Sequence, residues 1–435
     1  MNYEETIAYL YDLQKHGMKL GLENIRRLLS ILGDPQDSFR SVHVAGTNGK
    51  GSTSAMIESM IRTSGARTGL FTSPHLISFT ERIRVNGREI SESEVVALAD
   101  EVRSAASGIE GFTPTFFEVT TAIAFLYFRK MKVDWAVVEV GMGGRLDATN
   151  VLMPEASVIT SIGMDHSEYL GPTISRIAGE KAGIIKETVP VITAPLDEQA
   201  MQVISGRASE CGSELIRYGR EFTSSVVSDE LTGLRIDYAG IRKMDSISVG
   251  LAGGHQAVNA AVAIRTIEAL ESGHKDLGCN IALGLRNTYW PGRLEFVKND
   301  PPILIDGAHN PQAAETLAVY LRKALNTYSR IILVMGIMSD KDRAGIMRPL
   351  LPLASEMIFT APAYGRAASA DCLAAEALEA GFFPKTSSSV AEAIGMAEGL
   401  YVQGDLIVVT GSFYTIGEAK EALGQPGVLT RLREC

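Results

Sequence analysis

Between Gly21 and Leu32, apolar residues recur three to four apart, at Leu22, Ile25, Leu28, Leu29 and Leu32. This spacing predicts an amphipathic helix, and Gly33-Asp34-Pro35 supplies its stop. The pattern then shortens to Val42-His43-Val44-Ala45, a predicted strand that leads through a glycine-rich turn into a helical stretch, Thr53 to Ser64. Continuous apolar runs at Asp134 to Val140 and Ser157 to Ile162 predict strands covered on both faces. Helical stretches at Phe117 to Lys130 and Ile174 to Ile185 precede and follow them. From Leu215 to Val249 the chain is richer in Ser, Thr and alternating residues, which predicts a small antiparallel patch. A second series starts after Trp290-Pro291-Gly292, with strands predicted at Ile303 to Asp306, Ile331 to Met335, Met357 to Thr360 and Leu406 to Thr410, and helical patterns between them.

Strands alternating with helices predict mostly parallel sheets covered by helices. The expected fold class is α/β: a P-loop ATPase-type domain with a mostly parallel sheet, residues 1–296, and a Rossmann-like domain without a dinucleotide fingerprint, residues 297–435. A chain of 435 residues suits two such units. No internal repeat or low-complexity segment interrupts them.

Composition narrows the setting. Hydrophobic residues at 46% and charged residues at 21% fit a soluble globular protein. No stretch is long and apolar enough to span a bilayer, and Met1 to Lys15 lacks the basic start and apolar core of a secretion signal. A cytoplasmic protein is expected. Cys211, Cys279, Cys372 and Cys435 form no C-x-x-C pair, so neither a zinc knuckle nor a disulfide framework is indicated. A net charge of −10 without a long basic run argues against a nucleic-acid partner. Anionic ligands would have to be held by local devices such as helix N-termini, a few cations and metal.

The strongest local signal is Gly46-Thr47-Asn48-Gly49-Lys50-Gly51-Ser52, set between a strand and a helix. Such a loop can aim backbone N–H groups at phosphate oxygens at the positive end of the helix, with Lys50 reaching the β and γ phosphates and Ser52 or Thr53 binding phosphate or Mg²⁺. Gly51 is an extra residue relative to the standard P-loop spacing, and the bland alternative is a plain glycine turn; phosphate binding is the stronger reading. Glu139 ends a strand ahead of Gly141, Gly143 and Gly144, where a carboxylate beside a P-loop can hold Mg²⁺. Asp165-His166 and Lys181 carry no assignment from spacing alone. Asp306-Gly307-Ala308-His309-Asn310-Pro311 fits turn chemistry, with Asn310 as an N-cap, and a ligand edge equally well.

Taken together these fragments resemble the folylpolyglutamate synthase and dihydrofolate synthase family within the Mur-type ligases. The resemblance is carried by the Gly46–Ser52 loop, Phe71-Thr72-Ser73-Pro74-His75, Thr80-Glu81-Arg82-Ile83, the run Glu139 to Asn150, Asp165-His166, Glu180-Lys181-Ala182-Gly183-Ile184, His255-Gln256 with Asn259, Pro291-Gly292-Arg293-Leu294-Glu295 and Asp306 to Pro311. It implies an ATP phosphate cradle at Gly49, Lys50, Gly51 and Ser52, and Mg²⁺ ligands at Ser73, Glu139 and His166. It implies a carbamylated Lys181 near the second of two metal ions, ATP contacts from Asn259, Arg293 and Asp306, and His309 near the transferring phosphate. Thr115-Phe116-Phe117-Glu118 and Leu146-Asp147-Ala148 resemble segments that hold the pterin. The implied reaction is ATP-dependent ligation of L-glutamate to dihydropteroate, and to folates for polyglutamate extension, through an acyl phosphate; a monomer with small-molecule partners only is expected. The alternatives are a synthase limited to folylpolyglutamates, a cell-wall peptide ligase of the same architecture, and a P-loop module that uses ATP only to change shape.

Overall fold

The computed structural model describes residues 1–16, 21–108 and 111–424; Cys435 and the end of the second predicted domain lie outside them. The alternating pattern produces three sheets. The largest has eight strands, in the order Arg88–Glu89, Ile83–Val85, Thr68–Phe71, Trp135–Glu139, Arg40–Ala45, Ala156–Ile159, Val191–Thr193 and Leu215–Arg217. Only the first two of these run antiparallel to their neighbours. Alternate residues of the central strands feed opposite cores. Val137 packs with Met56, Ile57 and Ala260, on the side of the helices Lys50–Arg62 and Gln256–Gly273. Ala136 and Val138 pack with Ile123 and Phe125 of the helix Phe116–Lys130. Each of these valines is fully buried, which contributes about 1.5–3 kcal/mol per side chain relative to exposure.

The second sheet holds Lys243–Val249, Gly233–Ala239 and Thr223–Glu230, all antiparallel. The predicted antiparallel patch is therefore present, except that Leu215–Arg217 leaves it and pairs parallel with Val191–Thr193. Three residues are too few for period to reveal which sheet they extend. The third sheet runs Glu295–Asn299, Pro302–Ile305, Asp405–Thr410, Arg330–Met335, Glu356–Phe359 and Lys385–Thr386. Only its first strand is antiparallel. This is the expected Rossmann-like half, and the C-terminal ends of its central strands face the phosphate loop of the first half, the usual position for ligands in open α/β sheets.

Two predicted boundaries shift for local reasons. The helix after the glycine loop starts at Lys50 because Gly49, at φ +86°, turns the chain into it as N-cap. The strand predicted through Ile162 stops at Ile159: the Thr160 N–H still donates to Ala45 of the neighbouring strand, but the hydroxyls of Thr160 and Ser161 turn to the phosphate loop. Among the described residues no helix is long and apolar enough to cross a membrane.

Candidate active site

Three parallel strands end side by side: Arg40–Ala45 between Trp135–Glu139 and Ala156–Ile159. The loops that follow them form one wall of a cleft, and His309 and Phe413 from the second half, with Arg293 from the segment that leads into it, form the other. The phosphate loop is fixed from behind. Thr160 Oγ1 donates to the Asn48 carbonyl at 2.8 Å, the Thr47 N–H donates to the Ser161 carbonyl at 2.6 Å, and Ser161 Oγ accepts from the Asn48 N–H at 3.0 Å. With those groups occupied, the loop leaves its remaining N–H groups at the helix N-terminus, where an anion is favoured.

Lys50 Nζ donates to the Thr47 carbonyl at 3.3 Å and stands 4.0 Å from Glu139 Oε1. Glu139 is buried, which raises its pKa; Lys50 and the Ser73 N–H, which donates to Oε2 at 3.2 Å, oppose that shift. Lys181 projects from the helix Ile174–Ala182, and its Nζ donates to the Gly46 carbonyl at 2.9 Å. Burial first, and then the charge of Lys50, lower its pKa to about 7. The helix can come this close because Gly144 has no side chain: a Cβ there would lie 2.8 Å from the Glu180 carbonyl oxygen.

Across the cleft, Arg293 stacks its guanidinium 4.6 Å over the Phe413 ring. His309 Nδ1 is 2.8 Å from the Gly307 carbonyl, so it carries the proton and leaves Nε2 as the group facing Asp165, at 3.7 Å. Burial lowers the His309 pKa to about 4 against the pull of Asp165. Asp165 is the meeting point of the two halves. Its Oδ1 takes Lys341 Nζ at 2.8 Å, and its Oδ2 takes Asn310 Nδ2 at 3.3 Å. Asn310 also donates to Asn48 Oδ1 at 3.0 Å while capping its own helix by accepting from the Ala313 N–H at 2.9 Å.

The expected site residues divide into two groups. Gly49, Lys50, Gly51, Ser73, Glu139, His166, Lys181, Arg293 and His309 line the cleft. Ser52, Asn259, Asp306, Thr115 to Glu118 and Leu146 to Ala148 stand behind it. Ser52 is buried against Gln256, and Asn259 packs beneath Gly49. Asp306 accepts from the backbone of Leu294 and Ala308, both at 3.0 Å. Thr115 and Glu118 bond each other reciprocally at the start of their helix. Phe116 is buried against Tyr11 and Phe79, whereas Phe117 lies over Gly141 and so nearer the cleft. Asp147 accepts from the N–H of Met142 and organises the glycine run. Sequence reasoning missed Lys341, Asn48 and Phe413. The available signal was positional: Lys341 and Phe413 follow the ends of Arg330–Met335 and Asp405–Thr410, where parallel strands present ligand-facing residues.

The donors fit magnesium in part. Ser73 and Glu139 offer hard oxygen ligands side by side. His166 lies at the exposed rim, and a free Lys181 ammonium would repel a cation, so a second ion fits only if Lys181 is converted to an anion. Among the described residues no cluster of three or more His, Cys, Asp or Glu side chains is arranged to hold a metal.

A phosphate loop facing a second Rossmann-like half across one cleft defines a nucleotide-using ligase class, and comparison with known proteins agrees. The Mur ligase middle domain matches residues 44–267, and the Mur ligase glutamate ligase domain matches residues 292–413. The chain is 38% identical to the dihydrofolate synthase/folylpolyglutamate synthase of Bacillus subtilis, over 97% of this chain and 99% of the relative. A Halobacterium salinarum protein named as a probable bifunctional folylpolyglutamate synthase/dihydropteroate synthase is 37% identical over 97% of this chain, which spans 51% of that longer protein. Mycobacterium tuberculosis folylpolyglutamate synthase complexed with ADP superposes with a TM-score of 0.90 at 32% identity, covering 98% of this chain and 100% of the other. Escherichia coli FolC in complex with DHPP and ADP gives 0.86 at 32% identity, covering 97% and 98%. The chain belongs to the Mur ligase family, within its dihydrofolate synthase/folylpolyglutamate synthase branch.

Proposed function

We propose that this chain joins the amino group of L-glutamate to the carboxylate of dihydropteroate, and of folates, using ATP. The observation that carries the reading is the convergence of Lys50, Glu139, Lys181, Arg293 and His309 on one cleft between the two halves. The acceptor carboxylate attacks the γ-phosphorus of ATP, ADP leaves, and an acyl phosphate forms. The glutamate amine then attacks the carbonyl carbon, and phosphate leaves as the amide forms. Phosphoryl transfer needs mainly positioning and neutralisation of charge. Lys50 and the N–H groups at the start of its helix hold the γ-phosphate, and Arg293 reaches the nucleotide from the opposite wall. His309, neutral at physiological pH, offers Nε2 near the transferred group. Closure of the two halves keeps water from the acyl phosphate.

Ser73 and Glu139 would hold one Mg²⁺, and His166 with a carbamate on Lys181 a second; bound there, they would offset phosphate charge. The lowered Lys181 pKa supports the carbamate, since only a neutral amine adds to CO₂. Ser52, Asn259 and Asp306 are assigned to the ATP site from behind its surface, and Thr115 to Glu118 with Leu146 to Ala148 to the pterin. A division into domains close to residue 297 is proposed because strands up to Val249 build the first two sheets and those from Glu295 build the third, which puts the change of sheet just ahead of Glu295. The name of the Bacillus subtilis relative, dihydrofolate synthase/folylpolyglutamate synthase, supports both acceptors. A monomeric cytoplasmic enzyme completes the reading. The test is ADP release with dihydropteroate, tetrahydrofolates or UDP-linked peptides as acceptor, with and without glutamate. Turnover of only the peptide precursors, or ADP release independent of acceptor and glutamate, would reject it.

A further inference from the structure

His43 lies in the middle of the central strand Arg40–Ala45, fully buried, and touches neither the cleft nor the phosphate loop. Its Nε2 is 2.8 Å from Thr149 Oγ1, and Thr149 Oγ1 in turn donates to Asp147 Oδ1 at 2.5 Å. The direction of each bond follows from counting protons. A hydroxyl has one hydrogen to donate. The Asp147 carboxylate is already an acceptor at both oxygens, from the Thr149 N–H at 3.0 Å, the Met142 N–H at 2.9 Å and the Gly141 N–H. Thr149 therefore gives its hydrogen to Asp147 and must accept from His43. That fixes the imidazole as the Nε2–H tautomer and leaves Nδ1 as a bare acceptor, which finds no partner among the described residues.

The far end of this chain of bonds is at the cleft. Gly141 and Met142, held by Asp147, line it. Gly141 is also the surface on which Phe117 rests: a Cβ there would stand 2.9 Å from Phe117 Cε2. The line thus runs from a buried imidazole in the central strand, through Thr149 and Asp147, to the backbone beside the Thr115 to Glu118 segment. The phosphate loop is fixed by a different set of partners, Thr160 and Ser161.

We infer that His43 is a positioning residue for the acceptor side of the cleft, setting the Gly141-Met142 backbone through Thr149 and Asp147 while leaving nucleotide binding untouched. A histidine that merely filled the core would affect stability without separating the two ligands. The inference rests on the folate-ligase reading for the identity of the acceptor.

His43→Leu removes the donor; His43→Gln places an amide N–H where Nε2–H was. The readouts are KM and kcat with dihydropteroate, calorimetric affinity for ADP, and ¹⁵N NMR of the histidine rings in the whole protein. His43→Leu is expected to raise KM for the acceptor at least about tenfold with ADP affinity within twofold of wild type. His43→Gln should recover most of that loss, and the wild-type ring should show the Nε2–H tautomer. Equal weakening of acceptor and ADP, unchanged kinetics, no recovery by glutamine, or an Nδ1–H tautomer overturns the assignment. If His43→Leu fails to fold, Thr149→Val cuts the same chain one link later and must show the same split. If wild type itself turns over no folate acceptor, the folate reading has failed, and the NMR tautomer still decides whether the hydrogen-bond chain exists as described.

Discussion

Lys341 Nζ sits 2.8 Å from Asp165 Oδ1, and this ion pair ties the second Rossmann-like half of the chain to the loop that follows a central strand of the first. Both side chains are nearly buried, at 11% and 8% exposure, so neither charge has bulk water to fall back on. Removing one partner of such a pair is costly because the other is left desolvated. Lys341→Met should lower kcat by at least about tenfold and make the two halves move apart, seen as a larger radius of gyration in small-angle scattering. A variant with wild-type kcat and radius would show that the pair is incidental.

Acid sensitivity of the same contact follows from Asp165. Burial disfavours its anion, but His166, Lys341 and His309 together hold its carboxyl well below the ordinary range. A carboxyl lowered on folding contributes stability that is fully present above the unfolded value of about 3.9 and is lost as pH falls through the lower folded value. The closed arrangement should therefore persist unchanged from about pH 5 to pH 8. Scattering that shows opening within that window would contradict the arrangement.

Lys50→Ala should reduce kcat by at least about a hundredfold, because a cation aimed at charge developing on the transferred phosphoryl group is lost. Lys50 also stands 4.0 Å from the buried Glu139, so the variant should bind Mg²⁺-free ADP with altered pH dependence as that carboxylate loses its counter-charge. Steady-state kinetics within a few-fold of wild type would remove Lys50 from the phosphate cradle.

How far the chain announced this site depends on how local each feature is. The loop Gly46 to Ser52 was legible because strand, glycine turn and helix lie within a dozen residues, and the expected Asn310 cap with Pro311 was legible for the same reason. Lys341 was not, since its partner Asp165 is 176 residues away and each looks like a surface charge in its own segment. Family resemblance named Asp306, Asn259 and Ser52 as ligand contacts, yet their side chains are engaged by backbone or neighbouring residues behind the cleft. Orientation of a side chain at a known position is the part that period and spacing do not encode.

Lys181 makes a pH prediction with a definite sign. Its folded pKa of about 7 lies below the usual lysine value of about 10.4. The unfolded chain therefore binds more protons between those values, and stability of the unmodified protein rises with pH across that interval. Over the same rise the neutral amine becomes available to CO₂. Carbamate on Lys181 should then increase with pH through about 7 and with added bicarbonate, read as a ¹³C-carbamate NMR signal from ¹³C-bicarbonate. Lys181→Ala should be nearly inactive and partly rescued by short carboxylates. An active, metal-loaded enzyme whose intact mass shows only free lysine refutes the modification.

Glu118 decides whether the pterin segment works as assigned and, with it, whether dihydropteroate is a substrate alongside folates. The side chain is 4% exposed. Oε2 accepts from the Thr115 N–H at 2.7 Å and closes the helix cap, while Oε1 finds no partner among the described residues. An unpaired buried carboxylate oxygen is costly, on the order of 1–3 kcal/mol, and an acceptor ring bearing N–H donors would relieve it. Glu118→Gln separates the two roles. Its carbonyl oxygen can keep the Thr115 bond, and its amide puts a donor where the free acceptor was. If Oε1 serves the pterin, this variant keeps its melting temperature within a few degrees, as a retained cap requires. Its KM for dihydropteroate then rises at least about tenfold, through one lost charge-assisted hydrogen bond. Polyglutamate extension, measured on the same preparation, should change less, because a folate longer by one glutamate must place its ring farther from the same phosphate site. Equal effects on both reactions would mean a shared ring position, and an unchanged KM for dihydropteroate would leave Glu118 as a helix cap alone.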